Sequence, residues 1–253
     1  MATPESESYV RSFARGLRVI EVMGQSPGHQ TIAQISDAAD LPRTVVRRLL
    51  MTLIELGFVN SDERSYWLTP KVLRLGMTYL YTLPFWKRSQ EVLEELGTKV
   101  GESCAISVLD EQDIVYVQRF HTKRILAMSP SIGSRLPAYS VSMGRVLLSA
   151  LSDTALESYL TRTDLKQLTP KTTTDKQKLI QIISLARNKG YAWGDGEYDE
   201  AISGLAVPVR DQSGQIIAAL NVSLLADQYT EDQATATFLP MLKLAASRLK
   251  AHT

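Results

Sequence analysis

The stretch Thr31–Leu68, TIAQISDAADLPRTVVRRLLMTLIELGFVNSDERSYWL, decides how the first part of the chain is read. Ile32, Ile35, Ala38 and Ala39 recur at helical spacing, which predicts a first helix with one apolar face. Asp40-Leu41-Pro42 ends it, because proline cannot continue a helix from upstream yet suits the first position of the next. A second helix is predicted from Pro42 to Leu56. Val45, Val46, Leu49, Leu53 and Leu56 fall on one side of it, and Arg43, Thr44, Arg47 and Arg48 within about 140° of arc on the other. Gly57 is the C-terminal stop. Phe58-Val59 and Tyr66-Trp67-Leu68 then flank the polar turn Asn60–Ser65, a two-stranded wing.

A helix fits the major groove, and arginine and threonine side chains on its outer face reach guanine edges and phosphates. Arg64 on the wing is placed for the neighbouring backbone. Upstream, Ser12 is the expected N-cap of a helix running to Met23, with Phe13, Leu17, Ile20 and Met23 as its stripe. Arg15 lies near its start as a further DNA contact. The ordinary fate of each of these arginines is a solvated surface. The short turn, the lack of an acid on the basic face before Glu55 and the hairpin that follows favour a winged helix-turn-helix when taken together.

The 253-residue chain is 44% hydrophobic and 22% charged, with a net charge of +1, so bulk electrostatics would not hold a polyanion. Residues 9–80 carry nine Lys and Arg against six Asp and Glu, a mild local excess. Cys104 is the sole cysteine, which excludes an intrachain disulfide and suits a reducing cytoplasm. His29, His121 and His252 are scattered and show no zinc spacing. No run approaches a membrane span, and MATPESES does not read as a signal peptide. No metal or cofactor is expected.

Residues 1–8 read as a disordered arm and residues 9–69 as the DNA-binding domain. Residues 70–84 form an apolar linker helix, Val72 to Tyr81, suited to packing against a second copy. Residues 85–253 make an α+β domain. In it a helix runs from Phe85 to Val100, and hairpin strands Cys104–Leu109 and Ile114–Phe120 follow. A third strand is expected at Ile125–Met128 and a loop at Gly133–Pro137. Helices are expected at Ser142–Leu151, Asp153–Leu160 and Asp175–Lys189. After a loop from Gly194 to Glu200, strands Ile202–Val209 and Ile216–Leu224 form a second hairpin before a closing helix, Thr230–Ala251.

Three features of this domain bear on binding. Both faces of the last strand are largely apolar, so Asn221 and Ser223 should be buried polar groups in need of partners, either backbone or a ligand. Simple alternation puts Val115, Val117, Arg119 and His121 on one face. Tyr139-Ser140-Val141-Ser142-Met143-Gly144 opens a helix whose unpaired N–H groups suit a carboxylate, although a serine N-cap is the ordinary reading. There is no nucleophile elbow, phosphate loop or metal motif, and Cys104 reads as core, so an enzyme is not supported.

Several segments carry a resemblance to a known family: SFARGLRVIEVM, LIELGFV, WLTPKVLRLG, GSRLPAYSVSMGRVLLSAL, GYAWGDGEYDE and LAVPVRDQSGQIIAALNVS. In these the chain resembles the IclR-type bacterial transcription regulators from Ser12 to the C-terminus. SFARGL, IVYVQR and RLPAYSVSMGRVLLSA are similar to the branch that controls aromatic-acid breakdown through the β-ketoadipate pathway. The resemblance implies a winged helix-turn-helix, a helical linker and a GAF-like effector domain with an antiparallel sheet. It implies dimers, or dimers of dimers, on palindromic operator DNA. It also implies an activator answering to an aromatic acid such as 4-hydroxybenzoate or protocatechuate; a repressor answering to another small carboxylate, or a sensor module that does not bind DNA, is the alternative. Family effector contacts fall on Ser142 and Met143, on Asp195, and on Asn221 and Ser223. Arg119 and Arg135 are candidate charge partners of the acid, with a structural ion pair (for Arg119 also a contact with a second copy) as the equal or better alternative for each, and Tyr139 is a candidate ring contact. One departure stands out: the family often has an arginine near Ser203, where this chain reads Ala201-Ile202-Ser203-Gly204.

Overall fold

The computed structural model describes residues 8–122 and 130–250. Residues 1–7 of the expected arm, the strand expected at Ile125–Met128 and His252 lie outside the described residues. The chain divides into two compact units, residues 1–80 and 81–253.

In the first unit α1 spans Arg11–Gly24, α2 Ile32–Ala39 and α3 Arg43–Glu55, followed by strands β1, Val59–Ser61, and β2, Tyr66–Leu68. Helix α1 begins after Val10 with no side-chain cap, so Ser12 is a helical residue and not the N-cap. Thr31 and Gln34 form a reciprocal capping box that starts α2. Asp40 ends α2 in the left-handed region, at φ 54°. The turn Asp40-Leu41-Pro42 is clamped by the Ser36 hydroxyl, which donates to the Leu41 carbonyl. Ser36 is therefore buried where the apolar pattern pointed to Ala38, which is exposed. In α3 the buried residues are Val46, Leu50 and Leu53, spaced i, i+4 and i+7, while Leu56 is half exposed. The wing turn is organised by Asp62, whose carboxylate accepts from the Arg64 and Ser65 amides and the Ser65 hydroxyl. These contacts, Ser65 foremost, hold its carboxyl below the ordinary value. His29 stacks on Trp67 at 3.9 Å, and Gln30 adds a bridge to Tyr66 that ties the wing to the core.

A 3-10 turn at Pro70–Val72 leads into α4, Leu73–Thr82. The second unit opens with α5, Trp86–Val100, and is built on one six-stranded antiparallel sheet of order β5-β4-β3-β8-β7-β6. Its strands are β3, Ser103–Asp110; β4, Asp113–Phe120; β5, Arg135–Pro137; β6, Ala192–Asp195; β7, Ile202–Arg210; and β8, Ile216–Leu225. Two of these differ from expectation. The loop at Gly133–Pro137 contains β5, which pairs with β4 at the sheet edge, and the loop after Trp193 begins as β6. Helices α5 and α9, Glu231–Arg248, pack on one face, where Gln118 on β4 reaches Ser89 on α5. Helix α6, Ser142–Leu148, lies across the other face, with α7, Asp153–Arg162, and α8, Lys176–Lys189, outside it. Both faces of the sheet are thus covered, as the apolar character of the last strand predicts.

The seating of α6 depends on two glycines, Gly144 in the helix against the preceding turn and Gly204 on β7 against Ser142. A Cβ on Gly144 would come within 1.9 Å of the Ala138 carbonyl oxygen, and one on Gly204 within 2.9 Å of Ser142 Oγ. Cys104 is buried on the α5–α9 side, and burial pushes its thiol up to about 12, as befits a core residue. No helix among the described residues is long and apolar enough to cross a membrane.

Candidate functional site

In the first unit Arg43, Thr44, Arg47 and Arg48 are all exposed on the outer side of α3, and Arg15 and Arg64 are exposed as well. None of Arg43, Arg47 and Arg48 has an acidic partner among the described residues. Arg43 and Arg47, one helical turn apart near the start of α3, form a cationic edge that no carboxylate neutralises among the described residues.

The second unit contains a cleft between the sheet and the start of α6, with a volume of ≈ 100 Å³. That is smaller than the engineered cavities of about 150 Å³ that admit a benzene ring. Of the eight residues expected at an effector site, Arg119, Ser142, Met143, Asn221 and Ser223 line it. The other three do not.

Arg135 sits at the outer sheet edge, paired with Asp110 and Asp113 at 2.5 and 3.1 Å, so it is a structural cation. Tyr139 is buried on the far side of the helix start, where its hydroxyl donates to the Lys166 carbonyl and accepts from the Lys166 amide. Asp195 is turned away by strand alternation. Gly194 and Gly204 are cross-strand partners that face Ser142, so the next pair, Asp195 and Ser203, alternates away from it; Ser203 still borders the cleft, whereas Asp195 does not. Asp195 accepts from the Ser203 hydroxyl at 2.6 Å and pairs with Lys171 at 2.9 Å. These contacts, Ser203 first, hold its carboxyl below the ordinary value.

Arg119 reaches the cleft through a β-bulge. Ile106 pairs with Gln118 but Ser107 with Tyr116, which leaves Val117 as the extra residue. Beyond the bulge the alternation is reversed, so Arg119 shares a face with Tyr116 and not with Val115. The Arg119 guanidinium lies 5.6 Å from the Tyr116 ring centre, and one of its terminal nitrogens donates to the Pro130 carbonyl. Its Nε is buried with no partner, and no carboxylate pairs with it among the described residues. Burial lowers its pKa. Across the cleft Asn221 Nδ2 donates to Ser223 Oγ at 3.1 Å, while Asn221 Oδ1 is buried with no partner. The two buried side-chain atoms left without a hydrogen bond among the described residues, one donor and one acceptor, thus belong to two residues that line the same cleft.

Two parts of this site were not apparent from sequence. Tyr116 lines the cleft only because the bulge places it there, and a bulge has no one-residue signature. Arg145 on α6 is buried and pairs with Glu197 at 2.6 Å, and it also donates to the Tyr139 and Trp193 carbonyls. Glu197 forms part of the cleft wall. An arginine inside the apolar run SMGRVLL was the available signal, but its partner lies 52 residues away. Among the described residues no group of three His, Cys, Asp or Glu is placed to hold a metal.

Residues 12–63 match the IclR helix-turn-helix domain, and residues 77–251 match the C-terminal domain of the bacterial transcriptional regulators of the same name. The chain is 43% identical over 245 residues to a Pca regulon regulatory protein of Pseudomonas putida, covering 96% of this chain and 84% of that one. It is 33% identical over 254 residues to a p-hydroxybenzoate hydroxylase transcriptional activator of Acinetobacter baylyi, covering 97% and 92%. Its fold matches that of an IclR homolog from Microbacterium hydrocarbonoxydans, solved in complex with 4-hydroxybenzoate. The TM-score is 0.83 at 23% identity, covering 94% of this chain and 97% of that one.

Proposed function

This chain belongs to the IclR family of bacterial transcriptional regulators, and on that premise we propose that a hydroxylated aromatic acid bound in the cleft governs its hold on palindromic operator DNA. The observation that carries this reading is the pair of orphaned polar atoms, Arg119 Nε and Asn221 Oδ1, on two residues that line one small cleft. A buried donor and a buried acceptor left unmade each cost about 1–3 kcal/mol, a cost that a ligand bearing both an acid and a hydroxyl removes. The relatives point the same way, one to activation of p-hydroxybenzoate hydroxylase and another to the Pca regulon. The protein acts as an activator of such genes.

On the DNA side Arg43, Thr44 and Arg47 read bases, and Arg48, Arg64 and Arg15 hold phosphates. The operator is bound by a homodimer or a pair of dimers. Leu73, Leu75, Tyr79 and Tyr81 are exposed on α4, with Leu73 and Tyr81 each 70% exposed, and a second copy would cover this apolar surface. Leu80 is already buried within the chain, so Leu73→Lys with Tyr81→Lys is the double substitution that tests assembly. It should shift sedimentation towards monomer.

The effector is tested by a thermal-shift panel of benzoate, 4-hydroxybenzoate, protocatechuate, β-ketoadipate, shikimate and pyruvate. A ligand at a hundredfold its dissociation constant stabilises the native state by ~2.7 kcal/mol, a shift of several degrees. A shift by aliphatic acids alone would favour a different carboxylate. An aromatic acid that binds an Asn221→Leu, Ser223→Val variant as well as the wild type would remove the cleft from the reading.

A further inference from the structure

Met51 is a long apolar side chain left 46% exposed in the middle of α3. At 100° per residue Arg47, Met51, Thr44 and Arg48 follow one another within about 100° of arc. All four are exposed, so Met51 stands inside the basic face and not at its border. The other exposed large apolar side chains described in the first unit lie before or on α1, at the end of α3 or on α4. Phe13, Leu17, Leu56 and Leu75 among them border one apolar groove together with Leu49. Leu49 and Leu56 lie about 140° or more round the axis of α3 from Met51, so that groove does not account for it. Its neighbours along the helix are otherwise engaged. The Thr52 hydroxyl donates to the Arg48 carbonyl at 3.2 Å. Glu55, one turn beyond Met51, is the only acid of α3 and marks where the face can no longer follow a groove lined by phosphates.

We propose, resting on the reading of α3 as the recognition helix, that Met51 determines specificity by packing its thioether end on the C5 methyl group of a thymine in each half-site. The major groove shows that methyl only where thymine stands. An apolar side chain among arginines therefore adds a distinction that hydrogen bonds to guanine do not make. The contact takes two apolar surfaces out of water, and Met51 brings no charge that would have to be desolvated. Its unbranched, flexible chain adapts to the shape of the groove floor. Met51 lies four residues beyond Arg47, about 6 Å along the helix axis. At about 3.4 Å per step, the thymine lies about two base pairs from the pair that Arg47 reads.

The test removes that methyl group alone. An operator duplex is selected from a random-sequence pool with the full-length protein, and each thymine in turn is replaced by deoxyuridine in both half-sites. One replacement should weaken wild-type binding about tenfold or more, from two buried methyl groups at about fourfold each. Met51→Ala should bind the thymine operator more weakly by a similar factor and lose all sensitivity to that replacement. Met51→Leu should keep the sensitivity. Thr44→Ser, which removes the neighbouring methyl group and keeps the hydroxyl, should keep it too. If Met51→Ala does not fold, Met51→Gln, of similar length and without the thioether, is read in the same way. Sensitivity that persists without Met51, or that Thr44→Ser abolishes instead, overturns the proposal. So does a wild-type protein indifferent to the replacement at every thymine. In each of these outcomes α3 remains the recognition helix as long as Arg43→Ala with Arg47→Ala weakens binding to the selected operator. A double variant that binds it as the wild type does removes α3 from the groove, and Met51 with it.

Discussion

The outer face of α3 and the β4 wall of the cleft both present arginines without counter-ions among the described residues, and physical chemistry treats the two oppositely. Arg43, Arg47 and Arg48 are exposed, so water solvates them and their lack of partners carries almost no penalty. Arg119 has an unpaired nitrogen from which water is excluded, so the same lack is a standing cost. Exposed cations are poised for a phosphate backbone by position alone. A buried one implies an anion of matching shape.

Arg145 provides the control for that comparison, being buried but fully partnered. Arg145→Ala should have the largest effect on stability. It leaves the Glu197 carboxylate with the Thr173 amide but no cation, and takes a donor from two carbonyls, and should lower unfolding free energy by about 3–5 kcal/mol, measured by denaturant titration. A loss below about 1 kcal/mol would mean that burial without water is not what separates these sites.

Next in size are Arg43→Ala and Arg47→Ala, each expected to cost ~1–3 kcal/mol in operator binding and to relax sequence preference at one base pair. The melting temperature should not change, because neither side chain has a partner to lose. Binding that falls equally on all sequences, with a salt slope reduced by about one, would make the residue a phosphate contact.

Arg119→Met sharpens the contrast from the other side. The ligand-free variant should be as stable as the wild type or up to about 1 kcal/mol more so, because an unpaired buried cation is exchanged for an apolar chain. Effector-induced stabilisation should vanish. A large loss of ligand-free stability would show that the Pro130 contact is structural and that the cation does not await a ligand.

The smallest effect concerns Asp195, the acid that alternation removes from the cleft. The Ser203 hydroxyl and Lys171 depress its pKa below the ordinary 3.8. Its contribution to stability is therefore fully present above that value and is lost as pH falls through the lower, folded-state value. The side chain is 40% exposed, so the contribution is modest. Unfolding curves of the wild type and Asp195→Asn should differ at neutral pH and converge in acid. A difference that persists undiminished at low pH would assign it to packing.

Much of this molecule is determined by local sequence. Pro42, Gly57 and the period of the apolar residues set the helix-turn-helix and its basic face, because helix ends and amphipathic stripes depend on neighbours within a few residues. The two-sided apolar character of Ile216–Leu225 likewise marks Asn221 and Ser223 as buried polar groups before any partner is known. Tertiary structure decided the rest. The bulge at Val117 reverses the face of Arg119, and the register of β6 against β7 turns Asp195 out and Gly194 in. Arg135 and Tyr139 found partners in Asp110, Asp113 and Lys166, and Arg145 found Glu197 across 52 residues. Alternation along a strand is a local rule, but a single inserted residue inverts it. Which cation stays unpaired depends on every other charge that the fold brings near.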